Sequence, residues 1–199
     1  MLEAANVSFA YQGKQPVLRD VSLSVAPGDR VALVAPSGFG KSTLCKVLAG
    51  YLQPACGRVL LDGQALPKKG ISPVQLIWQH PEQVLDPRMR MERQLTEAGP
   101  VHEMDALVEK LGIRDAWMKR YPHELSGGEL QRFCIARALA SNPRYLICDE
   151  ISTMLDAVTQ AQLWAFLLEE AEARSLGMVL VTHSEALRAK LATRAVALV

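Results

Sequence analysis

A short run without a polar residue, Val31-Ala32-Leu33-Val34, leads into a loop holding Gly38 and Gly40 and then into Lys41 to Ala49. There Leu44, Val47 and Leu48 recur at helical spacing, and Gly50 supplies a stop. A strand that is apolar along its whole length has to be covered on both faces, which a mainly parallel sheet flanked by helices achieves. The unit strand, glycine-rich loop, helix therefore places the chain in the α/β class. An apolar strand at Tyr145 to Cys148, a helix over roughly 157–175, a strand at Met178 to Thr182, a short helix at Glu185 to Leu191 and a last apolar run to Val199 continue the alternation.

Two regions read differently. Near the start, apolar and polar residues alternate around Val7 to Tyr11 and again from Val17 to Val25, with the turn Gln12-Gly13-Lys14-Gln15-Pro16 between them, and Gly57 to Leu66 forms a further strand pair around Asp62-Gly63. From about 80 to 140 the chain is richer in helix formers. Val101 to Leu111 and Glu129 to Ala140 are amphipathic, the second following Ser126 as its N-cap.

At 199 residues and 49% hydrophobic, the chain has enough length to bury one substantial core and too little for two ordinary domains. Basic and acidic residues nearly cancel, 22 against 21, which argues against a nucleic-acid footprint or a polybasic membrane anchor. No apolar run approaches the roughly 18 residues of a membrane-spanning helix, and the first residues lack a signal peptide's basic start, so membrane association is expected only through a partner. Cys45, Cys56, Cys134 and Cys148 are scattered, with neither a Cys-x-x-Cys pair nor histidines at zinc spacing, and read as small core residues in a reducing compartment.

The loop Ala35-Pro36-Ser37-Gly38-Phe39-Gly40-Lys41-Ser42-Thr43 carries the first chemistry. Backbone N–H groups at a helix start face the phosphates of a nucleotide, Lys41 adds a fixed positive charge, and the Ser42 hydroxyl suits Mg²⁺. Ala35 stands where a glycine is expected. Its Cβ is harmless if φ stays below zero and costs about 1 kcal/mol or more otherwise. Phe39 fits if its ring points to solvent or a partner and only its N–H meets phosphate. Asp149 ends an apolar strand, where a carboxylate can hold a magnesium-bound water, and Glu150 follows as the group that polarises an attacking water.

Leu125-Ser126-Gly127-Gly128-Glu129-Leu130-Gln131-Arg132, lying between that loop and Asp149-Glu150, resembles the signature motif of ATP-binding-cassette ATPases. Over essentially its whole length the chain is similar to the nucleotide-binding subunit of an ABC transporter. The resemblance implies a P-loop ABC ATPase fold over 1–199: a mainly parallel core with an antiparallel β subdomain, at about 1–79 and 141–199, and an inserted helical subdomain at about 80–140. It implies ATP and Mg²⁺ as cofactors, with Tyr11 stacking on adenine, and Gln79 touching Mg²⁺ and sensing the γ-phosphate. It also gives His183 as a switch at the γ-phosphate and Asp156, ending Ser152-Thr153-Met154-Leu155-Asp156, as a lining of the dimer interface. Ile151 and Met154 depart there from the usual proline and alanine. Lys41, Glu150 and His183 are the expected catalytic residues, and Ser42, Gln79 and Asp149 the metal ligands.

The segment Gln79 to Arg90, above all Leu85-Asp86-Pro87-Arg88, is similar to that of ATPases serving importers of oligopeptides, dipeptides and nickel or metal chelates. The sequence stops at Val199, before the long C-terminal extension of that subgroup, and reads either as a compact member or as one that lacks its tail. The implied partners are a second ABC ATPase subunit, identical or related, and membrane permease subunits. The implied place is cytoplasmic, on the inner face of the membrane. Two other classes compete: an accessory ATPase of a soluble complex of the carbon–phosphorus lyase kind, and a soluble ABC ATPase acting on nucleic acid or the ribosome.

Overall fold

The computed structural model describes residues 1–98 and 101–198. In chain order the elements are β1 (Leu2–Phe9), β2 (Leu18–Val25), β3 (Arg30–Val34), α1 (Lys41–Leu48), β4 (Cys56–Leu61), β5 (Gln64–Ala65), β6 (Val74–Ile77), α2 (Met91–Thr96), α3 (Val101–Lys110), α4 (Asp115–Met118), α5 (Gly127–Ala140), β7 (Tyr145–Asp149), α6 (Ala157–Arg174), β8 (Gly177–Val181), α7 (Glu185–Leu191) and β9 (Arg194–Ala197). Single 3₁₀ turns lie at Pro81–Gln83 and Pro122–Glu124. Five strands form a parallel sheet in the order β6-β7-β8-β3-β9, and β2-β1-β4-β5 form a separate antiparallel sheet.

The apolar runs serve two cores at once. In β7, Tyr145 and Ile147 pack with α1 and the antiparallel sheet, while Leu146 and Cys148 pack with α5 and α6 on the other face. β8 divides the same way, Val179 and Val181 against Met178 and Leu180. The period-two pleat puts successive side chains on opposite faces, so a strand between two cores has no place for a polar residue.

The antiparallel sheet begins earlier than the alternation around Val7 indicates, since β1 starts at Leu2, and Tyr11 lies beyond its end. Asn6, at φ 51°, interrupts β1 and shifts its register against both neighbours. Gly57 fits into that bulge. Its φ is 78°, and a Cβ there would lie 2.3 Å from the Asn6 carbonyl oxygen. The described residues also hold elements the periodicity does not mark: β6, α2 and α4 are four to six residues long, too short for a repeat to emerge. The cysteines divide, Cys45, Cys134 and Cys148 being buried and Cys56 exposed at the start of β4.

Residues after 80 pack on the α5 and α6 side of the parallel sheet, where Leu85, Met91, Leu95, Leu107 and Trp117 share a core with Leu146 and Leu180. Glu170 of α6 is buried among them and held by two cations, Lys110 of α3 at 3.0 Å and Arg174 at 2.7 Å. A carboxylate there is tolerated because both partners are hydrogen-bonded to it.

Candidate functional site

The loop between β3 and α1 turns back on itself through two left-handed glycines, Gly38 at φ 83° and Gly40 at φ 84°. Gly40 is required twice over, since a Cβ there would lie 2.8 Å from Leu18 Cδ2 and 2.9 Å from Val17 Cγ1. It also occupies the N-cap of α1 without offering a side-chain acceptor, which leaves the first N–H groups of the helix to an outside anion. Lys41 is buried, and its ammonium donates to the carbonyls of Ala35 at 2.8 Å and Pro36 at 3.1 Å. Ala35 lies outside the left-handed region and packs against the core, so its Cβ introduces no strain. Phe39 is 53% exposed, its ring turned outward as the loop demands.

At the end of β7, Asp149 is buried, and its Oδ1 has no hydrogen-bond partner. Burial pushes its carboxyl above the usual carboxylate value; Glu150 adds to the rise, while a hydrogen bond from Ser42 and the charges of Lys46 and Lys41 oppose it. Glu150 adopts φ 51°, a left-handed conformation that costs a non-glycine residue about 1 kcal/mol. Its carboxylate then meets two groups from separate strand ends. Gln79 Nε2 donates to Oε2 at 3.2 Å, and His183 Nε2 lies 2.9 Å from Oε1.

Part of this set lines a cleft of about 330 Å³, whereas Ala35, Pro36, Phe39, Gln79 and Asp149 lie outside its lining. Ser37, Gly38, Gly40, Lys41, Ser42 and Thr43 form its floor, and Glu150 and His183 stand on one side. Tyr11 stands at the rim, half-exposed, edge-on to Phe9, with its hydroxyl 3.3 Å from Thr43 Oγ1. Nine residues separated in sequence by up to 172 positions thus come together. Val17, which the sequence did not single out, closes the back of the same cleft.

Ser126, Gly127, Gly128 and Asp156 are not among them. They line a second cleft of about 390 Å³ together with Arg114, Trp117, Arg132 and Met154. Ser126 caps α5 in a reciprocal box with Glu129, and Asp156 caps α6, accepting from Val158 and Thr159 N–H at 3.0 Å each. Both glycines are set by close neighbours, since a Cβ on Gly127 would lie 2.9 Å from Met154 Sδ and one on Gly128 2.9 Å from Leu155 Cδ2. The two clefts share no lining residue. Arg114 and Trp117 carry no motif and become visible only when α4 packs beside α5.

A family model described as ABC transporter matches residues 18–153, which span both the phosphate loop and the Ser126-Gly127-Gly128 site. The chain belongs to the ABC transporter family. Within it the chain is 35% identical over 210 residues to the oligopeptide transport ATP-binding protein OppD of Lactococcus lactis subsp. cremoris, covering 92% of this chain and 62% of that one. It is 30% identical to the nickel import system ATP-binding protein NikE of Staphylococcus aureus, covering 100% of this chain and 86% of that one. A solved ATP-binding subunit of an ABC transporter superposes with a TM-score of 0.86 at 27% identity, over 100% of this chain and 85% of the other. The chain spans between 51% and 62% of the length of the peptide-importer relatives it matches.

Proposed function

We propose that this ABC protein is an ATP-hydrolysing subunit that energises an importer of peptides, nickel or metal chelates. The observation that carries the reading is the first cleft, where a buried lysine and a helix start without its own acceptor line one space with Glu150 and His183. That chemistry fits Mg·ATP. Lys41 and the N–H groups of the loop bind the phosphates, Tyr11 takes the adenine, and Ser42, Gln79 and Asp149 hold the metal. Magnesium supplies positive charge at the phosphate oxygens. Glu150 is the proton acceptor for the attacking water, with its two oxygens oriented by Gln79 and His183. Relatives named for peptide import and nickel import favour import as the direction.

In this reading residues 80–140 form the helical lobe inserted into the α/β core, and two subunits share the nucleotide. Ser126, Gly127 and Gly128, at a helix start, form an anion site with no phosphate of its own, which a second subunit brings to the γ-phosphate. Asp156 and Met154 line that interface. No helix among the described residues is long and apolar enough to cross a membrane, and the link to the membrane is a permease subunit. Its seat is a groove of about 550 Å³ with Tyr51, Ile71 and Trp78 on one side and Val84, Ala98 and Arg137 on the other, beside the exposed Pro87 and Arg88.

The test is Mg·ATP binding and turnover by the parent, Lys41→Ala and Glu150→Gln, alone and with co-purified permease subunits in liposomes. Lys41→Ala is expected to lose binding, and Glu150→Gln to bind but turn over at least 100-fold more slowly, as loss of a positioned base predicts in order of magnitude. Unchanged hydrolysis in either variant would overturn the assignment.

A further inference from the structure

Gln94 is 1% exposed, on a six-residue helix whose neighbours Glu92 and Arg93 are exposed. Its amide uses every hydrogen-bonding site it has. Nε2 donates to the carbonyls of Asp86 at 3.2 Å and Met89 at 3.0 Å, while Oε1 accepts from the Asp86 N–H at 3.0 Å and from Arg137 Nη1 at 3.3 Å. Two of these partners can only accept and two can only donate, so the orientation of the amide is fixed by its surroundings.

The four bonds join three parts of the molecule. The first is the turn 86–89, drawn inward by its backbone so that Pro87 and Arg88 stand exposed, with Arg88 N–H on Asp86 Oδ1 at 2.8 Å. The second is α2 itself. The third is α5, because Arg137 belongs to that helix and also lines the groove between Trp78 and Ala98. The opposite end of α5 carries Gly127 and Gly128, and midway along it Gln131 Nε2 donates to the Trp78 carbonyl at 3.3 Å, next to Gln79. A body seated in the groove therefore touches Arg137, and through it the only side-chain hydrogen bond between α2 and α5 among the described residues.

We propose that Gln94 is a positioning residue for the membrane partner: joined to Arg137, it sets the exposed turn at Asp86 to Arg90 against the occupied groove and makes turn and signature helix move as one unit. The inference rests on the docking reading given above and deepens it. Gln94 touches neither nucleotide nor partner. Its effect lies on the step by which partner binding alters turnover.

The experiment uses Gln94→Leu, which keeps the size of the side chain and removes all four bonds. In the isolated subunit, Gln94→Leu frees the turn, and trypsin should cleave after Arg88 about tenfold faster with KM for ATP unchanged, as expected for loss of local hydrogen bonds. In the assembled complex in liposomes, Gln94→Leu should lose most of the permease-dependent rise in kcat while basal kcat and KM stay within about twofold. Permease stimulation equal to the parent's in Gln94→Leu overturns the proposal, as does an equal loss of basal and stimulated turnover, which marks a merely structural role. A parent subunit that neither binds nor responds to permease subunits removes the docking reading itself, a result distinct from any seen in the variant alone. Tryptic cleavage of Gln94→Leu at the parental rate refutes the role of Gln94 in holding the turn whatever the partner proves to be.

Discussion

Burial raises the pKa of Asp149, so the fold disfavours its charged form. The penalty is absent below the ordinary carboxylate value of 3.8, builds as pH rises from there towards the raised value and is fully present above it. The ligand-free protein should therefore gain more stability from Asp149→Asn at pH 7 than at pH 3, in denaturant unfolding at both pH values. A difference independent of pH would show that the charge is not the cause. Ala35 gives a second test. Because its backbone lies outside the left-handed region, Ala35→Gly should leave ATP affinity within about twofold, measured by calorimetry. Lys41, Ser42, Asp149 and Glu150 were legible in the sequence because their spacing states a chemical demand. The freedom of Ala35 from strain was not, since φ belongs to the fold and not to the residue, and Val17 acquires its place only when β2 lies against the loop.

Elements were legible in proportion to their length and to the purity of their pattern. The 14 residues of α5 and the 18 of α6 show caps and period, and both begin where Ser126 and Asp156 indicate. Four-residue β6 shows neither, because its strand character comes from pairing with β7. At the junction of β1 and β4 the fold depends on one absent side chain. Gly57→Ala places a methyl against the backbone of Asn6 and keeps φ at 78°, and should cost about 2 kcal/mol or more in urea unfolding. The loss should be confined to the antiparallel sheet, seen as faster amide exchange in β1 and β4 than in β7.

At the scale of the whole molecule, the separation of the two clefts decides how the chain works with others. With Glu150→Gln holding ATP unhydrolysed, light scattering should report a dimer in the presence of Mg·ATP and a monomer without it, if two copies pair. A parent that remains monomeric while its rate rises linearly with its concentration would sink the shared site. The same separation has a biochemical consequence for such a pair. A Lys41→Ala chain keeps a sound Ser126-Gly127-Gly128 face, and a Gly128→Asp chain keeps a sound phosphate loop. If the site is shared, each alone should be inactive, yet a mixed pair assembles one complete site and one doubly broken one, so mixing the two inactive chains should recover ATP hydrolysis.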